Sequence, residues 1–308
     1  MMVKMGILVD EHGVKLILKN IMAKKQYIFI KRYKLATMKQ RLFQPFFLFT
    51  VCIFLHAETV AQSNAEEWKL VWSDEFNKKG LPDSSKWGYD TGGSGWGNNE
   101  LQFYTANRMK NARVEKGMLI IEAHKEDWEN KKFTSARLVT RDKATWKKGM
   151  IEVRAKLPSG LGTWPAIWTL ADTKPMHWPD DGEIDIMEHV GYDQGKVHGT
   201  IHCKKYNHII GTQKAANVFL DDCSQNFHTY QLKWDQDSIS IGVDGNYYFK
   251  YTNERTGYDA WPFNNNMYLL LNIAVGGNWG GAKGVADNIW PQRMEVDFVR
   301  VYELTENN

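Results

Sequence analysis

Three carboxylates stand close together in the chain, at Glu183, Asp185 and Glu188, within the run Trp178-Pro179-Asp180-Asp181-Gly182-Glu183-Ile184-Asp185-Ile186-Met187-Glu188-His189. Carboxylates crowded on one surface repel one another, and their proton affinities separate: one stays ionised while a neighbour holds its proton near neutrality. Displacement at an acetal carbon demands that division. One carboxylate attacks the anomeric carbon, and a protonated partner about 5–5.5 Å away donates to the departing oxygen. The same spacing also arises by chance on solvated strand faces. What holds the trio therefore decides between the two readings.

Glu183, Ile184, Asp185 and Ile186 alternate strictly, which is strand patterning; it puts Glu183 and Asp185 on one sheet face and both isoleucines on the other. Plain alternation would turn Glu188 toward the isoleucines. One extra residue, a β-bulge at Ile186-Met187, returns Glu188 to the face of the other two acids. The surrounding chain has the same period. Met118–Ala123, Met150–Leu157, Val197–His202, Phe227–Trp234, Ser238–Val243, Met267–Ile273 and Met294–Tyr302 all read as strands. Turn signals separate them, among them Pro158-Ser159-Gly160, Asp244-Gly245-Asn246 and Gly276-Gly277-Asn278. With no helical stripe and no βαβ alternation, the pattern predicts an all-β fold, a two-sheet antiparallel sandwich.

The first sixty residues do not share this pattern. Residues 38–61 carry a basic start, an apolar run Phe46–Leu55 and small residues before Gln62, the layout of a secretory signal peptide. Residues 1–37 read as a spurious N-terminal extension, with translation starting at Met38. Residues 62–308 then form one domain, exported to the periplasm or the medium, with no membrane attachment once the signal is removed. The first 61 residues hold 10 of the 39 Lys and Arg and 3 of the 36 Asp and Glu, so the remainder is net acidic by 4. That balance argues against a nucleic-acid partner. Cys203 and Cys223 remain, a candidate disulfide in an exported protein whose spacing matches no zinc site. The 13 Trp are an unusual load, suited both to core packing and to stacking on the flat faces of sugar rings.

The acidic run resembles the signature of glycoside hydrolase family 16, laminarinase-like branch. Further ordered matches are Leu70-Val71-Trp72-Ser73-Asp74-Glu75-Phe76, Gly95-Trp96-Gly97-Asn98-Asn99-Glu100-Leu101-Gln102, Ser135-Ala136-Arg137-Leu138 and Gly162-Thr163-Trp164-Pro165-Ala166-Ile167-Trp168. Asn272-Ile273-Ala274-Val275-Gly276-Gly277-Asn278-Trp279 and Val296-Asp297-Phe298-Val299-Arg300-Val301-Tyr302 complete them. The compact Glu-x-Asp-x-Glu form belongs largely to lichenases and xyloglucan-active enzymes. The extra Met187 looks like the laminarinase, agarase and carrageenase group.

The resemblance implies a β-jelly-roll with a glucan cleft across its concave face, Glu183 as nucleophile, Glu188 as acid/base and Asp185 as their helper. It implies an endo-β-1,3-glucanase acting with retention as a monomer on β-glucan, mixed-linkage β-1,3-1,4-glucan included, with no cofactor for catalysis. Trp164, Trp168 and Trp178 resemble cleft tryptophans, Asn98 and Arg137 hydroxyl-binding residues, and His202 a cleft histidine, while Trp279 caps one end. The Cys203 to Cys223 segment reads as a loop on the acceptor side. A structural calcium is implied at Glu75, Gly117 and Asp297, where oxygen-only ligation suits that ion. The alternatives are a galactan hydrolase such as an agarase or carrageenase, and a non-catalytic β-glucan-binding protein. Net acidity disfavours a cleft for sulfated galactan, and the retained glutamates disfavour a pure binding module.

Overall fold

The computed structural model describes residues 67–305; the expected extension (1–37) and signal peptide (38–61) lie outside the described residues. The first strands are β1 (Trp68–Asp74), β2 (Gly88–Asp90), β3 (Gln102–Tyr104), β4 (Ala112–Glu115), β5 (Met118–Trp128) and β6 (Lys131–Ser135). Next come β7 (Arg137–Val139), β8 (Gly149–Lys156), β9 (Thr163–Ala171), β10 (Glu183–His189), β11 (Lys196–His202) and β12 (Lys214–Phe219). The last are β13 (His228–Trp234), β14 (Ser238–Val243), β15 (Asn246–Thr252), β16 (Met267–Val275) and β17 (Gln292–Leu304). The one helical element among the described residues is a 3₁₀ turn, His208–Ile210.

These strands form the expected β-jelly-roll sandwich. One sheet runs β15-β14-β13-β8-β17-β5-β6-β3, with β1 beside β17 and β4 beside β5; the other runs β12-β11-β10-β9-β16-β7-β2. The alternation read from sequence explains how they pack. β8 buries Ile151, Val153 and Ala155 while Glu152, Arg154 and Lys156 face outward. Across the sandwich these meet Ile167, Ile184, Ile186, Met187, Leu269 and Leu271 in one apolar core. Each such side chain removed from water contributes about 1.5–3 kcal/mol. β16 is buried along all nine residues. Its core side faces the other sheet, while Tyr268 and Leu270 sit in a second, smaller apolar cluster with Val139 and Leu170, covered by Trp168 and Trp178. This cluster gives the outer face of the seven-stranded sheet an apolar floor.

Two sequence readings are corrected here. The segment between Cys203 and Cys223 is no simple loop, because it carries the 3₁₀ turn and the edge strand β12, whose residues alternate half-buried and exposed. The candidate disulfide is not formed: Cys203 and Cys223 are both free and buried. β11 and β12 pair from Lys196↔Phe219 to Ile201↔Lys214. Cys203 follows the Ile201 end, whereas Cys223 follows the Phe219 end, where Leu220 bonds back to Gly195. The ladder between them is roughly 17 Å long at about 3.4 Å per residue. A disulfide needs Cα atoms within about 7 Å.

Candidate active site

The strand register places the three acids. Against β9, Glu183 lies opposite Leu170, Asp185 opposite Trp168 and Glu188 opposite Ala166; the register shifts between Asp185 and Met187. Against β11, the same residues oppose His202, Thr200 and His198, with a shift between Asp185 and Glu188. Leu170, Trp168 and Ala166 share one face of β9. Glu183, Asp185 and Glu188 therefore share a face of β10, and Ile184, Ile186 and Met187 are all fully buried on the core side. The bulge accommodates two consecutive apolar residues and lets both requirements be met.

Each glutamate is gripped by an indole. The Trp178 N–H donates to Glu183 Oε2 at 3.0 Å, and the Trp164 N–H donates to Glu188 Oε1 at 2.9 Å. His202 lies beside the other two groups, its Nε2 3.4 Å from Asp185 Oδ2 and 3.9 Å from Glu183 Oε1. Burial first, then the Asp185 and Glu188 charges, push Glu183 well above the usual carboxylate range, against the pull of His202 and the Trp178 bond. Burial and then the Glu188 charge push Asp185 well above it too, and a bond to Glu183 pulls back. Glu188 is raised by burial and by the nearby Glu100 charge, opposed by the Trp164 bond and His202. Three such groups cannot all ionise cheaply at neutral pH, so the cluster holds at least one proton there.

The other residues picked from sequence divide into two kinds. Trp164 and Trp178 carry carboxylate-holding bonds and are half-buried, and His202 is nearly buried against the acids. Arg137 and Trp168 sit side by side at one flank. The Arg137 guanidinium is sandwiched 4.8 Å from the Trp96 ring and 4.6 Å from the Trp168 ring, and its Nε is 3.1 Å from Asp90 Oδ2. Trp279 packs edge-on against Trp164 at 5.5 Å and against His198 at 5.0 Å. The Asn98 carbonyl accepts from the Asn278 N–H at 2.7 Å and its side chain bonds to Glu100, while Asn99 donates to the Asn278 side chain at 2.9 Å.

Several residues that sequence reasoning passed over belong to the same face. Trp96 stacks on Arg137. His208, on the 3₁₀ turn, packs 5.0 Å from Trp178 and 5.2 Å from His202. Asn272 accepts from the Trp168 indole at 2.7 Å. Glu100 is buried behind them. Trp96, Glu100 and Asn272 lie inside quoted motifs, and His208 lies in the Cys203 to Cys223 segment read as an acceptor-side loop, on a turn capped by Asn207 and Gly211.

The calcium set is partly assembled. Asp74 pairs with Val299 and Leu119 with Val296, so Glu75, Gly117 and Asp297 converge around the shift in β17 between Val296 and Phe298. The Asp297 carboxylate, however, is ion-paired with Arg154, and that of Glu75 meets both Arg300 nitrogens at 2.9 Å. A calcium ion using Asp297 would have to displace a guanidinium. Among the described residues, one other group offers ligand atoms close together: Glu183, Asp185 and His202, within 4.8 Å. This is also the geometry that a shared proton requires.

The chain is similar to proteins of known kind. The family model described as Glycosyl hydrolases family 16 matches residues 99–300. A beta-glucanase of Rhodothermus marinus is 51% identical over 250 residues, which cover 79% of this chain and 87% of that protein. The laminarinase structure from Rhodothermus marinus superposes with a TM-score of 0.77 at 50% identity, covering 78% of this chain and 99% of its own. A non-specific endo-β-1,3(4)-glucanase of family 16 superposes with a TM-score of 0.75 at 49% identity, covering 78% and 94%.

Proposed function

The chain belongs to glycosyl hydrolases family 16, and on that premise we propose that it is an endo-β-1,3-glucanase that cleaves laminarin-like β-glucan, mixed-linkage β-1,3-1,4-glucan included, with retention. One observation carries the assignment of roles: the bulge in β10 sets Glu183, Asp185 and Glu188 on one face, each glutamate held by an indole N–H.

Glu183 is the nucleophile. The Trp178 N–H and His202 both favour its ionised form, and a proton resting on Asp185 removes the nearest competing charge. Glu188 is the acid. Burial and the Glu100 charge let it keep its proton until it is passed to the departing glycosidic oxygen. The bond from the anomeric carbon to that oxygen breaks as the bond to Glu183 forms, giving a glycosyl-enzyme ester. Glu188, now ionised, takes a proton from water; the water oxygen attacks the same carbon from the face the leaving group left, and Glu183 departs as carboxylate. Two inversions give net retention. No cofactor enters these steps.

Export is proposed on residues 38–61 and a monomeric state on the family resemblance. A structural calcium at Glu75, Gly117 and Asp297 belongs to the same reading. The deciding assay is reducing-sugar release from laminarin, barley β-glucan, agarose and carrageenan by wild type and by Glu183→Ala. Release from laminarin that is lost in the variant is expected, by on the order of 10⁴-fold. Retention of wild-type activity by Glu183→Ala would sink the mechanism, and release from agarose alone would sink the glucanase reading while sparing the mechanism.

A further inference from the structure

Behind the Trp168 indole runs a chain of buried hydrogen bonds that ends on a fourth carboxylate. The Trp168 N–H donates to Asn272 Oδ1 at 2.7 Å, Asn272 Nδ2 donates to the Tyr104 hydroxyl at 3.1 Å, and that hydroxyl donates to Glu100 Oε2 at 3.2 Å. Gln102 Nε2 reaches the same Glu100 oxygen at 2.6 Å, and its own carbonyl accepts from the Val275 N–H at 2.8 Å. Glu100, Gln102, Tyr104 and Asn272 are all buried.

The two ends of this chain have fixed polarity. An indole nitrogen only donates, and an ionised carboxylate only accepts. The amide and the hydroxyl between them could each turn either way, but the ends leave one arrangement. Asn272 must show its carbonyl to Trp168, so its amino group points at Tyr104, so the Tyr104 proton points at Glu100. Burial raises the Glu100 carboxyl, and the bonds from Gln102, Tyr104 and Asn98 together with the Arg137 charge favour its ionised form, the one that accepts from Tyr104. Burying a carboxylate is expensive, and here the donors that converge on it offset that cost.

We propose that Glu100 is a positioning residue for substrate binding, which acts through Tyr104 and Asn272 to hold the Trp168 indole, and the Arg137 guanidinium stacked on it, at one orientation. The inference rests on the glucanase reading above.

Glu100 also lies close to the acid. A Cβ built on Gly277 would stand 3.3 Å from Glu100 Cγ and 3.4 Å from the Trp164 ring, so a single glycine backbone separates Glu100 from the indole that holds Glu188. Gly277 has φ +75°, where a side chain would be strained even without those neighbours. The groups facing Glu188 are Glu183 and Asp185 on its own strand, His198 and His202 on β11, Tyr248 on β15, and Glu100. Those facing Glu100 are Arg137, Tyr104 and Glu188, with the Lys131 ammonium on its carbonyl at 3.5 Å. Loss of the Glu100 charge lets Glu188 release its proton more readily, which moves the basic limb of kcat/KM to lower pH.

The test is a double-mutant cycle on laminarin oligosaccharides. Tyr104→Phe removes the middle link and leaves the Glu100 charge; it is expected to raise KM about tenfold with kcat within about twofold, and to leave the pH profile in place. Glu100→Gln can still accept from Tyr104; it should raise KM less and shift the basic limb to lower pH. The variant Tyr104→Phe/Trp168→Ala should bind no worse than Trp168→Ala alone, because Tyr104 acts only through that ring. Additive losses in the cycle, or a wild-type KM in Tyr104→Phe, overturn the inference. If Tyr104→Phe fails to fold, Asn272→Asp takes its place in the cycle, since it accepts from Trp168 but cannot donate to Tyr104. A wild type without laminarin activity sinks the glucanase reading instead.

Discussion

Two regions use carboxylates in opposite ways: the ion-paired acids on the outside of the ten-stranded sheet, and the trio on β10. On the ten-stranded sheet several outward acids are paired with cations. Glu126 accepts from Arg108 and Lys110, both at 2.6 Å, and the Arg108 bond holds it far below the usual carboxylate range. Glu75 is held below that range by its paired bonds to Arg300. On the seven-stranded sheet Glu183, Asp185 and Glu188 face one another, with His202 as the basic group beside them, and all three are raised. One residue type thus gives permanent anions in one place and proton carriers in another. Partner and burial decide which. A cation stabilises a fold at a paired site; its absence at β10 leaves the acids able to exchange protons at neutral pH.

The contrast can be broken first at the acid. Glu188→Gln should cut laminarin hydrolysis by on the order of 10²–10⁴-fold. An aryl β-glucoside whose leaving group needs no proton should lose much less, and its rate should lack a basic limb. Equal losses on both substrates would show that Glu188 does not supply the proton.

The second measurement is thermal stability against pH. Glu183 has a raised pKa in the fold, so its contribution is present below its unfolded value and is lost as pH rises through the folded one. Glu183→Gln should therefore raise Tm at pH 7–8, by roughly 2–4 °C for each kcal/mol relieved, and make no difference near pH 4. Glu75 has a lowered pKa, so its contribution is present above the unfolded value and fades on acidification. Glu75→Gln should lower Tm slightly at pH 7 and not at pH 3. Differential scanning calorimetry of both variants across that range checks the two signs, and the same sign for both would erase the contrast between the paired acids and the β10 trio.

The smallest effect is expected at Asp297, whose charge Arg154 neutralises. Arg154→Met turns a paired acid into an unpaired one beside the Glu75 and Gly117 positions. Added calcium at about 1 mM should raise the Tm of this variant more than that of the wild type. A variant that ignores calcium would remove the metal from the proposal.

The parts of this protein legible from sequence are those fixed by short-range rules. Period-two alternation located β8, β10, β14 and β17 to within a few residues, because one face of each meets the core. The same rule showed that Glu188 needs a bulge to join Glu183. It missed β12, an edge strand with no fully buried face, and β9, whose Trp-Pro-Ala-Ile-Trp run is buried on both sides and so has no clean alternation.

What sequence alone determined, then, is the trio of acids, the sandwich and the excess of indoles. Tertiary structure alone decided what each polar group bonds to. Trp164 and Trp178 became hydrogen-bond donors to carboxylates, His202 met the acids, and Cys203 and Cys223 fell at opposite ends of a ladder. Glu100 came to lie behind Trp168, linked through Asn272, which is 172 residues away along the chain. Hydrogen-bond partners and proton affinities depend on distances between strands remote in sequence, and residue type and local period carry no record of those distances.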